Sequence, residues 1–253
     1  MSVATGICAH PIQIHADTDQ LARACLRRWI TLSREAIAHR GAFHVALSGG
    51  STPKRLYQLL AQPEWQAELD WSRSHLYFGD ERAVPPEHPD SNFRMVREAL
   101  LDHISLPAKN INRMHADPTQ IEQNATAYAA GLRAQLPLNP AGMPIFDLIL
   151  LGMGPDGHTC SLFPDTPILQ EMSTPVGTVH VARLNSWRLS LTYPVLNCAQ
   201  QLLFLVAGSD KAAMLQQICR PTQESDPVPV QNIQPQGQVE WLLDQAAAAG
   251  LDV

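Results

Sequence analysis

Residues Ile145-Phe146-Asp147-Leu148-Ile149-Leu150-Leu151 run directly into Gly152-Met153-Gly154-Pro155-Asp156-Gly157-His158-Thr159. The first half lacks the alternation of a half-exposed strand and is too short for a core helix. It predicts a strand buried on both faces, as found inside parallel sheets. The second half predicts a site. Its glycines allow backbone conformations that a Cβ forbids and let a ligand approach the main chain. Asp156 and His158 then stand at the carboxyl end of a strand, where open α/β sheets bind ligands.

Short apolar strands and amphipathic helical segments alternate on either side of this stretch. Strands are expected at residues 12–15, 43–47, 75–78, 188–192 and 202–207. One helix opens at Asp17 or Asp19 and closes at Gly41, and a second has Pro53 in its first turn. Further helices are expected over 92–103, 119–135, 209–219 and 239–249. This rhythm implies an α/β fold, with a mainly parallel sheet covered by helices. The Pro-rich stretches 136–144 and 221–235 read as loops, because the β–α rhythm resumes after each. Residues 1–253 are therefore expected to form a single domain.

With 253 residues, 45% of them apolar, the chain can bury a real core. There are 24 acidic and 18 basic residues, a net charge of −6, and no Lys/Arg run. Nucleic acid is therefore not an expected partner, and an anionic small ligand would need cations concentrated locally. Cys8, Cys25, Cys160, Cys198 and Cys219 are odd in number and widely spaced. That usage reads as a reduced, intracellular protein without a disulfide framework or zinc site. The ten histidines show neither His-x-His nor His-x-x-x-His spacing, so no metal is expected. The start of the chain does not read as a signal peptide and no apolar run reaches membrane-spanning length, so no membrane partner is expected and the cytoplasm is the expected location. Monomer and homodimer both stay open.

Four chemically loaded segments accompany the strands. Ser48-Gly49-Gly50-Ser51-Thr52-Pro53 joins a strand to a helix and reads either as a phosphate cradle or as a Ser/Thr helix cap on a glycine turn. Gly79-Asp80-Glu81-Arg82 offers an anion fork in Arg82 or a solvated ion pair; Asp90-Ser91-Asn92 caps the next helix. In the third segment His158 is the candidate base, since imidazole changes protonation near neutral pH. Asp156 either orients it or shapes the turn. Cys160 is a nucleophile on paper, with no activating base nearby except His158. The fourth segment pairs Arg188, at the start of a strand, with Lys211, in the first turn of a helix. Both can serve an anion or be ordinary surface cations.

Taken in order with Ser161-Leu162-Phe163-Pro164, Phe204-Leu205-Val206-Ala207-Gly208 and Glu240-Trp241-Leu242-Leu243-Asp244, these blocks resemble the 6-phosphogluconolactonase family over nearly the whole chain. The resemblance implies a three-layer α/β sandwich of the sugar-phosphate isomerase/deaminase type, without metal or organic cofactor. It implies hydrolysis of 6-phosphoglucono-δ-lactone to 6-phosphogluconate in the oxidative pentose phosphate pathway. The family's general base falls on His158. Its phosphate-binding positions fall on the turn Gly49, Gly50, Ser51 and Thr52, on Arg188 and on Lys211, with Arg82 also lining the site. Glucosamine-6-phosphate deaminases, the enzymatic alternative, resemble this chain in the Asp-Gly-His core but carry a glutamate five residues after the histidine. Phe163 stands at that position here. The chain departs from the lactonase pattern at Ser186-Trp187-Arg188, where a proline-containing run is usual, and in the 221–235 loop. A non-catalytic sugar-phosphate sensor is the remaining alternative. It would have little need of His158, and the first β–α unit begins too early to leave room for a helix-turn-helix.

Overall fold

The computed structural model describes residues 10–220 and 227–251. The strands are β1 (Ile12–His15), β2 (Phe43–Leu47), β3 (Ser74–Phe78), β4 (Asp80–Arg82), β5 (Ile111–Asn112), β6 (Leu148–Leu151), β7 (Val176–Val181), β8 (Ser186–Leu191), β9 (Gln201–Val206) and β10 (Gln238–Asp244). The helices are α1 (Thr18–Arg40), α2 (Ser51–Leu60), α3 (Pro63–Gln66), α4 (Asn92–Ala99), α5 (Ile121–Gln135), α6 (Tyr193–Cys198) and α7 (Ala212–Cys219).

All four residues of β6 are buried, as a run without alternation requires. The strand starts only at Leu148. Asp147 is drawn aside instead, its carboxylate accepting the His44 N–H at 2.7 Å and the Arg40 guanidinium at 2.8 Å. Around β6 lies a seven-stranded sheet in the order β1-β10-β9-β6-β2-β3-β5, with every pair parallel. From β2 the chain builds outward through β3 to β5. It then returns to β6 on the other side of β2 and builds toward β9. The order thus reverses between β2 and β6, and such reversals open a crevice at the carboxyl ends of the strands. Helices flank the sheet, with α1 and α2 packed on each other and on its strands, in an α/β sandwich. No helix among the described residues is long and apolar enough to cross a membrane.

A second, antiparallel sheet of order β4-β8-β7 hangs from the end of β3. It begins where the Leu191 N–H donates to the Gly79 carbonyl at 2.8 Å. Sequence periodicity did not signal β4, β5 or β7, because strands this short or this irregular carry no clear pattern.

Helix α1 follows its capping signals. The Asp17 carboxylate accepts the Gln20 N–H at 2.8 Å, and Gly41 closes the helix with φ +82°. The helix expected over 92–103 stops at Ala99, where Leu100 leaves helical geometry, and a 3₁₀ turn, Leu101–His103, follows. The one expected at 119–135 starts at Ile121. The segment 209–219 divides into a 3₁₀ turn, Ser209–Lys211, and α7.

One expectation is reversed. Residues 239–249, read as a helix, instead supply β10, which is parallel to both β1 and β9. Burial decides it. Val239, Trp241, Leu242 and Leu243 are all in the core, and the Trp241 ring stacks on Phe204 at 4.0 Å. A half-buried helix would expose some of them, so sheet pairing overrides local helix propensity. The cysteine expectation also changes at one position: Cys219 is disulfide-bonded, whereas Cys25, Cys160 and Cys198 are free. Residues 221–226 of the second Pro-rich loop lie outside the described residues. Its remainder holds a 3₁₀ turn, Pro229–Asn232.

At the edge of β2 remote from the crevice, the His44 ring stacks on His75 at 4.9 Å and its Nδ1 lies 3.1 Å from the Tyr77 hydroxyl. Burial, together with the charges of His75 and Arg40, lowers its pKa to about 4. The folded state thus binds this proton less readily than the unfolded chain. Its contribution to stability is complete above the ordinary value of 6.5 and is lost as pH falls toward 4. The thermal midpoint is expected to drop over that interval, and His44→Asn should flatten the slope. An identical slope in the variant would remove His44 as the cause.

Candidate active site

The crevice between β2 and β6 is a cavity of about 230 Å³. The loop after β2 supplies Ser48, Gly49 and Gly50. The end of β3 leads to Asp80 and Arg82 on β4. The loop after β6 supplies residues 152–155 and 158–160, and the turn after β9 supplies Lys211. Strands parallel to one another end at one edge, so these distant segments meet there.

The loop after β6 is fixed by its own backbone. The Gly154 N–H donates to the His158 carbonyl at 2.8 Å, the Gly157 N–H donates to the Gly154 carbonyl at 3.0 Å, and the Thr159 hydroxyl closes onto the Gly152 carbonyl at 2.8 Å. The Val230 N–H donates to the Gly157 carbonyl at 3.0 Å and braces the loop from outside. Position 154 must be glycine: a Cβ there would stand 2.0 Å from His158 Nδ1. The imidazole therefore packs directly against bare backbone.

His158 Nδ1 sits 2.5 Å from Asp156 Oδ1. Burial raises the Asp156 pKa. The hydrogen bond and charge of His158, its backbone N–H and the charge of Arg183 outweigh that effect and bring the carboxyl to about 2. An ionised carboxylate only accepts hydrogen bonds, so Nδ1 carries a proton, and in the neutral imidazole the lone pair falls on Nε2. On the other side the Phe163 ring lies 4.1 Å from the imidazole, tilted by 31°.

The loop after β2 leaves its strand in one fixed direction. The Tyr57 hydroxyl accepts the Ser48 N–H and donates to the Ser48 carbonyl, at 3.1 and 2.8 Å. Gly49 is needed because a Cβ would stand 2.0 Å from Asn92 Oδ1. Helix α2 begins at Ser51 and has no side-chain cap. The Ser/Thr cap reading is therefore absent, and the first N–H groups of α2 remain open to an anion.

The acids beside Arg82 are structural. Glu81 accepts the N–H groups of Arg82, Asn92 and Phe93, each at 2.8 Å, and so caps α4 together with Ser91. Asp80 accepts the Ser161 hydroxyl at 2.6 Å and the Asn92 amide at 3.1 Å. With both carboxylates committed, Arg82 is held by a single hydrogen bond to the Asp90 carbonyl at 2.6 Å, and its buried Nε has no partner.

Arg188 stands directly opposite Arg82 in the β4–β8 register. Its Nε is likewise buried without a partner. Burial and the Arg82 charge lower its pKa, although a guanidinium stays cationic. Lys211 Nζ lies 2.8 Å from the exposed Asp210.

Of the candidate residues, Gly49, Gly50, Arg82, His158 and Lys211 thus line one cavity, and Asp156 holds His158 from behind. Ser51, Thr52 and Arg188 are adjacent but do not line it. Arg183, which meets Asp156 from 27 residues away, belongs to no motif and carries no local signal of its role. No group of three or more His, Cys, Asp or Glu side chains among the described residues is placed to hold a metal ion.

The fold and the crevice define a sugar-phosphate isomerase/deaminase-type sandwich. Residues 16–241 match the family of glucosamine-6-phosphate isomerases and 6-phosphogluconolactonases, and the chain belongs to that family. A 6-phosphogluconolactonase of Synechocystis sp. is 44% identical over 232 residues, covering 91% of this chain and 92% of that protein. One of Nostoc sp. is 41% identical over 246 residues, covering 96% and 98%. The solved structure of 6-phosphogluconolactonase from Trypanosoma brucei superposes with a TM-score of 0.84 at 29% identity, covering 96% of this chain and 98% of that one.

Cys160 lies at the edge of the cavity, where burial and the Asp80 charge push its thiol well up. Alkylation by iodoacetamide at pH 8 should therefore be at least about tenfold slower at Cys160 in the native protein than in the unfolded chain. Equal rates would show that the thiolate is accessible.

Proposed function

We propose that this protein is a 6-phosphogluconolactonase that opens 6-phosphoglucono-1,5-lactone to 6-phosphogluconate, with His158 as general base, and that the chain works as one domain. One observation carries the reading: a carboxylate-oriented imidazole shares a single cavity with two cations, Arg82 and Lys211. A phosphorylated lactone asks for that combination. Its phosphate dianion needs charge-assisted donors, and its ring ester needs a base at the other end. Names of the relatives agree with this assignment. Phe163 rather than a carboxylate packs on His158, which leaves the deaminase alternative without its acidic partner.

In this reading Lys211, Arg82 and the open N-terminus of α2 beside Gly49 and Gly50 hold the phosphate. The open N–H groups of that helix are those of Ser51 and Thr52, and Arg188 supports the cations from one layer behind. Nε2 of His158 takes a proton from a water molecule as its oxygen attacks the lactone carbonyl, and the carbonyl becomes a tetrahedral oxyanion. As the oxyanion collapses, the bond to the ring oxygen breaks. The imidazolium returns its proton to that oxygen, giving the hydroxyl of the open-chain acid. Asp156 keeps Nδ1 protonated throughout and steadies the imidazolium.

The direct test generates the lactone from glucose 6-phosphate and follows acid release above the spontaneous rate. A rate no higher than the uncatalysed control rules the lactonase reading out. His158→Asn should lower kcat about 10²–10⁴-fold with little change in KM; near-normal turnover would dismiss the base assignment. Lys211→Ala and Arg82→Ala should each weaken 6-phosphogluconate binding about tenfold or more, as loss of a charge-assisted pair implies. Parent-like titrations by calorimetry would move the phosphate elsewhere.

A further inference from the structure

Arg183 belongs to none of the motifs that mark the crevice. It stands in the 3₁₀ turn Ala182–Leu184, between β7 and β8. Its guanidinium meets Asp156 Oδ2, the oxygen that His158 leaves free, while His158 occupies Oδ1. The same guanidinium lies over the Phe163 ring, 5.2 Å from its centroid, and Phe163 in turn packs on the imidazole. The side chains of His158, Asp156, Arg183 and Phe163 therefore close into a ring of contacts: hydrogen bond, ion pair, cation–π and ring packing.

We propose that Arg183 is a positioning residue for the Asp156–His158 pair, locking the carboxylate by its second oxygen and the imidazole through Phe163. A carboxylate held by one oxygen alone can turn about its last torsion and carry the imidazole with it. Held by both, it cannot. Arginine suits the task because its planar fork binds a carboxylate edge while its face stacks on an aromatic ring. Phe163 completes the device. A carboxylate at that position would offer Arg183 a competing partner and leave the imidazole without an apolar wall.

The arrangement also has an electrostatic consequence. Arg183 shares the Asp156 charge with His158, which limits how strongly Asp156 favours the imidazolium. The other charged groups facing the cavity with His158 are Asp80 and Arg82 on β4 and Lys211 after β9, together with the Cys160 thiol. None of them contacts Arg183 through a hydrogen bond or ion pair, so replacing Arg183 leaves their arrangement in place. Removing the Arg183 charge should favour the protonated base and move the acid limb of the pH profile upward.

This inference rests on the lactonase reading, and kinetics across pH separate the two. Parent, R183Q, R183K, D156N and R183Q/D156N are compared for lactone opening. R183Q should lower kcat about tenfold to hundredfold with little change in KM, the cost of a misplaced base. It should also raise the acid limb of kcat/KM by about half a pH unit, the size expected for a partly solvated charge. R183K should keep the limb and regain part of kcat. In the D156N background R183Q should lose most of its effect, because the main route runs through Asp156 and only the Phe163 contact is left. Arg183 is half-exposed, at 55%, and R183Q should melt with the parent. Unchanged kcat and limb in R183Q, a rise in KM alone, or a full R183Q effect on top of D156N would each overturn the proposal. A parent without activity above the spontaneous rate would instead sink the lactonase reading itself.

Discussion

The reversal of strand order between β2 and β6 is the constraint on which the rest of this molecule depends. Because every strand of the large sheet runs the same way, every loop at the carboxyl edge opens toward the same side. At the reversal the loops after β2 and β6 diverge and leave room between them. The neighbouring strands, β3 and β9, add their own exits on either flank. Segments more than 150 residues apart in the chain, Ser48 and Lys211 among them, thereby share one cavity. The position of β6 is secured by its burial and by its pairing with β2 and β9. Because both faces of β6 are buried, apolar pattern does not fix its register, and Asp147, held by Arg40 and His44, marks where the strand begins.

An acidic protein, net −6, has to gather positive charge locally if it is to hold an anion. The small antiparallel sheet does this by placing Arg82 and Arg188 opposite each other. Like charges in direct cross-strand register are unfavourable on their own. The charges of Asp80, Asp90 and Glu81 offset the repulsion only in part, and neither Glu81, which caps α4, nor Asp80, taken by Ser161 and Asn92, pairs directly with an arginine side chain. Both arginines keep a buried Nε without a partner. The fold thus concentrates positive charge beside the cavity, with Arg82 on its lining and Arg188 behind it.

The histidine end is built by the opposite strategy, with each group occupied. Backbone hydrogen bonds close the loop on itself, and the bare Cα of Gly154 forms the floor under the imidazole. Asp156 takes Nδ1 and Phe163 covers the ring, leaving Nε2 as the ring nitrogen outside that pairing. The two ends of the crevice therefore differ in kind: cations on one side, a single oriented imidazole on the other.

What the sequence determined by itself is local. The apolar run of β6, the capping of α1 by Asp17 and Gly41, and the glycines flanking Asp156 and His158 each act within a few residues, so their signals sit in adjacent positions. Gly154 is glycine because of a residue four places away, which is near enough to read. What only the tertiary structure decided involves partners brought together by the sheet. The segment 239–249 carries a helix-compatible pattern, and it became β10 because a place between β1 and β9 buries Trp241 and its neighbours. Arg183 meets Asp156 only because β7 and β8 carry its turn to the mouth of the crevice. Among cations of equal promise in the sequence, Arg82 and Lys211 line the cavity while Arg188 stands behind. Periodicity reports which face of an element is apolar. It does not report which neighbour covers that face, and the pairing of distant strands settled both the last strand and the composition of the site.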